Sequence, residues 1–108
     1  MRIEFVGARV FAHGITGDEI RAVVEYPIIV SRVEPRHPDS DPHIFVGRFD
    51  ENEPPIEVGA DRVDAQHWLV FHAMMLRPAT AKDLGLDETH PQVVHDITGQ
   101  RPEGRRQQ

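Results

Sequence analysis

A chain of 108 residues, 39% apolar and 28% charged, has room for one modest core and not for two. It holds no cysteine, which excludes disulfides, thiolate metal sites and cysteine nucleophiles, and it has no apolar run long enough to span a bilayer. Its 18 acidic and 12 basic residues give a net charge of −6, which argues against a protein that coats nucleic acid through a general positive field. All the basic residues except Lys82 are arginine, so a local cluster can still grip one phosphate. The opening "MRIEFVGARV" lacks the apolar core of a signal peptide, and the expected compartment is the cytoplasm.

In chain order, "RIEFV" reads as a short edge strand or a lead into a first helix, "GARVFAHG", which Gly14 would end in a left-handed conformation. Thr16 then caps a second helix, with Glu19 closing a capping box and Ile15 and Ile20 forming a hydrophobic staple. Ile20, Val23 and Val24 give that helix one apolar stripe, and Pro27 stops it. "PIIVSRV" is a strand, and the proline-rich "EPRHPDSDPH" is a loop. "HIFVGRF", "IEVGAD" and "HWLVFHAM" follow as three more strands, at spacings short enough for antiparallel hairpins.

The predicted fold class is therefore α+β: two N-terminal helices packed on a four-stranded antiparallel sheet, with "HWLVFHAM" central. Ile20, Val23, Val24, Ile44, Val46, Val58, Val70 and Phe71 are the expected core. Residues 1–86 form the compact domain. Residues 87–108 have little to bury beyond Val93, Val94 and Ile97, and read as a polar C-terminal tail, flexible or ordered by a partner.

Three stretches resemble one family. "AHGITGDEIRAVVEYP", "IFVGRF" and "VFHAMMLRPAT" are similar to the opening helix, the second strand and the closing corner of the BrnT-type toxins of bacterial type II toxin–antitoxin systems. The resemblance implies a RelE-like fold, ribonuclease activity without a cofactor, and neutralisation by a small DNA-binding antitoxin. RNA and that antitoxin are the expected partners, with a homodimer as a further option and no membrane. An alternative reading is a catalytically inactive protein-binding module of the same fold, favoured by the acidic net charge and by Ala12 where the family has lysine.

Metal-independent RNA cleavage needs a base for the 2′-hydroxyl, charge stabilisation at the phosphate and an acid for the leaving oxygen. His13 follows the first predicted helix. His72 shares a predicted strand face with Trp68, Val70 and Met74, where it is either a hydrogen-bonded core histidine or a proton carrier at a cleft floor. Arg48 closes one strand and Arg77 follows another, so both are candidates to hold phosphate. Thr80 and Lys82 are weaker candidates for contacting RNA. A metal reading of "HPDSDPH" lacks regular ligand spacing, and no metal is expected. Glu57 and Asp61 share one face of the third strand and read as a solvated pair.

Overall fold

The computed structural model describes residues 1–101. The sheet has five strands, β1 (Arg2–Phe5), β2 (Ile29–Arg32), β3 (Pro42–Gly47), β4 (Ile56–Asp64) and β5 (His67–Met75), in the order β1-β5-β4-β3-β2. β2 to β5 form an antiparallel meander, while β1 runs parallel to β5 with Ile3 opposite Trp68 and Phe5 opposite Val70. This corrects the predicted two helices on a four-stranded antiparallel sheet. The sheet is mixed and has an extra strand, and β4 rather than β5 is its middle.

The first predicted helix is also corrected. Ala8–Phe11 is a single 3-10 turn. Gly7 supplies no side-chain cap, and Ala12 and Gly14 bond back three residues to Arg9 and Phe11. Gly14 then takes the positive φ of 77° expected of it. The true N-terminal helix, α1 (Gly17–Glu25), starts as predicted. Thr16 Oγ1 accepts from the Glu19 amide at 3.2 Å and the Thr16 amide donates to Glu19 Oε1 at 2.9 Å.

α1 lays Ile20, Val23 and Val24 on one sheet face, over Phe45, Val58, Trp68 and Val70. The opposite face carries a second core. There α2 (Pro78–Asp83), α3 (Leu86–Thr89) and α4 (Pro91–His95) bring Ala81, Leu86 and Val93 against Val46 and Leu76, with Val94 and Ile97 beside them. The apolar knot read from the tail thus packs in cis. Beyond α4 the chain returns along the sheet. The Gln100 side-chain amide exchanges hydrogen bonds with the backbone N–H and C=O of Met75 at 3.0 and 2.8 Å. Arg101 donates to both carboxylate oxygens of the buried Glu19 at 2.8 and 2.7 Å.

Of the expected core, Ile44 is only half-buried and Phe71 is exposed. Both line the part of the face away from α1 that the C-terminal helices leave open, and β5 is bulged there. Gly59 pairs with His72 and the next residue, Ala60, with Val70, so Phe71 is the unpaired residue. Before it, Trp68 and Val70 face α1. After it, Ala73 and Met75 do. The parity of the strand flips at this point, and His72 leaves the face of Trp68 and Val70 on which alternation had placed it.

Candidate functional site

On the face away from α1, the three C-terminal helices cover only one end of the sheet. The other end is an open cleft of about 890 Å³, the size of a small-molecule or single-nucleotide site. Its floor is formed by β3, β4 and β5 through Ile44, Asp61, Phe71 and His72. β1 stops pairing after the Val6 amide bonds the Val70 carbonyl, and the 3-10 turn rises as one wall with Arg9 and His13. The loop after β2 makes the opposite wall with Glu34, Arg36 and His37.

Under the cleft lies the group that the sequence concealed. Glu57 is fully buried on β4, an interior strand, where a carboxylate needs several donors to stay ionised. It has them. His72 Nε2 lies 2.9 Å from Oε2, and Arg77 donates its backbone N–H at 2.9 Å, Nε at 3.1 Å and Nη2 at 2.7 Å. Burial pushes its pKa upward. The His72 and Arg77 hydrogen bonds, with the Thr80 hydroxyl beside them, outweigh it and bring the group from 4.5 down to about 2. An ionised carboxylate only accepts, so Nε2 of His72 carries a proton and Nδ1 is the nitrogen turned away from Glu57. Glu57 and Asp61 do share a strand face, but the reading of Glu57 as a solvated carboxylate is wrong.

A stability prediction follows from the sign of that shift. The folded pKa of Glu57 lies below its unfolded value, so its contribution is complete above pH 4.5 and fades as the pH falls toward 2. At one pKa unit per 1.4 kcal/mol, about 3 kcal/mol is at stake. Urea denaturation between pH 2 and 6 should show a steep acid limb that Glu57→Gln makes shallower. An unchanged limb would assign the acid sensitivity to other carboxylates.

The cleft gathers three of the predicted site residues, His13, His72 and Arg77. Arg48 is elsewhere. It donates to Asp96 Oδ2 at 2.8 Å and to the Glu53 carbonyl at 3.0 Å, tying the β3–β4 turn to the end of α4. Thr80 serves Glu57 from within α2, and Lys82 stands exposed in the last turn of that helix, outside the cleft lining. The "HPDSDPH" loop is split. His37 reaches the cleft, whereas His43 stacks edge-on against Trp68 with ring centres 5.0 Å apart. Among the described residues, no three His, Cys, Asp or Glu side chains converge as ligands for an ion.

The three arginines of the cleft, Arg9, Arg36 and Arg77, are matched one for one by Glu34, Asp61 and the underlying Glu57. Protonating any of His13, His37 or His72 therefore tips the cleft positive, in a chain whose net charge is −6. Such a site can bind an anion while it moves protons. No protein-family model, curated protein or solved structure matches this chain.

Proposed function

We propose that the cleft cleaves RNA without a metal ion, as a toxin-like ribonuclease of a type II toxin–antitoxin system. The observation that carries the reading is the His72–Glu57–Arg77 array, in which a buried ionised carboxylate fixes the tautomer and ring orientation of a quarter-exposed histidine. Carboxylates that orient a catalytic imidazole play the same part in hydrolytic triads.

In the proposed reaction His72 Nδ1 takes the proton of a ribose 2′-hydroxyl, and the 2′-oxygen attacks the adjacent phosphorus. The bond to the 5′-oxygen breaks as His13, protonated, donates to it. The products are a 2′,3′-cyclic phosphate and a 5′-hydroxyl end. Arg77, half-exposed at the cleft while it holds Glu57, is positioned to stabilise charge on the phosphate, and Arg9 and Arg36 to hold neighbouring phosphates. In this reading a small DNA-binding antitoxin silences the protein by covering the cleft.

The test is incubation of the purified chain with a single-stranded RNA in the presence of EDTA, together with induction of the chain alone in a bacterial host. Cleavage to cyclic-phosphate ends and growth arrest are expected. Arg77→Ala should reduce both by at least tenfold. Intact RNA and normal growth at high expression would overturn the reading and leave the alternative of a binding module on the same fold.

A further inference from the structure

Two features of the cleft have no part in moving protons. Phe71, the bulged residue of β5, leaves 42% of its surface exposed there. Its ring rests on the backbone of Gly59, where a Cβ would fall 3.0 Å from Cε1 and 3.1 Å from Cζ of the ring. Glycine weakens a strand interior and marks a place where something must approach closely. At Gly59 it is the ring of Phe71, close against the strand on one side and open to the cleft for the rest. Two residues further along the same face of β4, Asp61 Oδ1 is shielded from water and has no hydrogen-bond partner among the described residues. Asp61 is only half-buried and lines the cleft, so its carboxylate meets a ligand there through the other oxygen.

We infer that Phe71 and Asp61 form a nucleobase subsite, in which a base stacks on the Phe71 ring and gives a hydrogen bond from its amino group to the cleft-facing oxygen of the Asp61 carboxylate. The inference rests on the proposed RNA cleavage and names its substrate as single-stranded RNA. A base inside a duplex has no free face to offer a side chain, whereas an unpaired base stacks readily on an aromatic ring. The placement suits one nucleotide. Glu57, Gly59 and Asp61 lie in a row on β4 that spans roughly 14 Å, with the proton-moving His72 over one end and the Asp61 carboxylate at the other.

Asp61 also sets a preference. An ionised carboxylate accepts and never donates. Adenine, cytosine and guanine each present an amino group at the base edge. Uracil presents one N–H between two carbonyl oxygens that repel the carboxylate. The site therefore favours the three amino-bearing bases over uracil.

The probe is a short single-stranded oligonucleotide with 2-aminopurine at one position and a 2′-deoxyribose at the scissile position, so that it binds without being cut. Wild type should quench the 2-aminopurine fluorescence. Phe71→Ala should bind about 5- to 100-fold more weakly without quenching, and Phe71→Trp should restore both. If Phe71→Ala does not fold, Phe71→Leu, which still covers Gly59 but has no π-face, takes its place. Asp61→Asn adds a donor to the same shape and should erase the discrimination against uracil. Normal binding and quenching by the Phe71 variants would overturn the stacking, and an unchanged base preference in Asp61→Asn would overturn the reader. The outcomes separate from those of the parent reading. Quenching with no cleavage of the all-ribose strand sinks the nuclease and keeps the subsite. Cleavage with neither quenching nor base preference does the reverse, and a chain that neither binds nor cleaves loses both.

Discussion

His72→Ala should lower RNA cleavage by about 10²–10⁴-fold, the usual worth of a positioned acid or base. The fold should survive. Glu57 would lose one donor and keep the backbone N–H, Nε and Nη2 of Arg77. Losing one hydrogen bond to a charged group costs about 1.5–3 kcal/mol, which lowers the thermal midpoint without abolishing cooperative melting. In the proposed reaction the missing group is a proton carrier and not a strut, so added imidazole should restore part of the rate in the truncated site. Glu57→Gln separates the two duties of the carboxylate. It preserves shape but no longer fixes which nitrogen of His72 holds the proton, so its rate should fall while substrate affinity holds. A His72→Ala protein that cleaves at the wild-type rate would remove His72 from the chemistry.

Deleting residues 87–108 should have the largest effect on stability. The deletion strips Val93 and its neighbours Val94 and Ile97 from the second core and removes Asp96 from Arg48. It also takes the bidentate guanidinium of Arg101 from Glu19, a carboxylate that is 1% exposed. Burying one valine contributes about 1.5–3 kcal/mol, and breaking a buried ion pair from one side costs about 3–5 kcal/mol. Together these rival the whole stability of a small domain, about 5–15 kcal/mol. The truncated chain should therefore melt without a cooperative transition, or at a midpoint more than about 10 °C lower. Arg101→Ala alone should show roughly half the destabilisation. A truncated chain that melts like the full one would mean that the second core adds nothing to the first.

Local chemistry was legible in the sequence and long-range pairing was not. The capping box at Thr16 and Glu19, the stop at Pro27 and the meander from β2 to β5 all depend on neighbours a few residues apart, and each formed where the pattern placed it. β1 depends on Trp68 and Val70, far along the chain, and no local signal says that "RIEF" will pair in parallel with the last strand. The second core was missed for the same reason. Val93, Val94 and Ile97 are too few to bury one another, and only the sheet face gives them a surface.

The site divides along the same line. His13 and Arg77 stand out by residue type near element ends, His72 as a histidine within an apolar strand, and the cleft unites them. Arg48 fits the same rule, yet Asp96 claims it. Glu57 was hidden because alternation on a strand cannot tell a solvated face from one covered by later helices. The bulge leaves no mark in "HWLVFHAM", so no local signal moves His72 off the face of Trp68, and Phe71 was hidden because alternation cannot say that the helices leave its part of the far face open.

The position of β1 also bears on when the cleft is completed during synthesis. Glu4 and its partner His67 are 63 positions apart, and Glu19 and its partner Arg101 are 82 apart. Pairings of such high contact order form slowly, because the intervening chain must close on itself first. On the ribosome they must also wait. β1 has no neighbour in the sheet until β5 has left the exit tunnel, and Glu19 meets Arg101 only after 82 further residues are joined. The wall that carries His13 is anchored to β5 through β1, so a nascent chain holds His13 without the floor that His72 supplies. A half-made copy thus lacks the assembled cleft, whose wall and floor meet only once β1 has paired with β5.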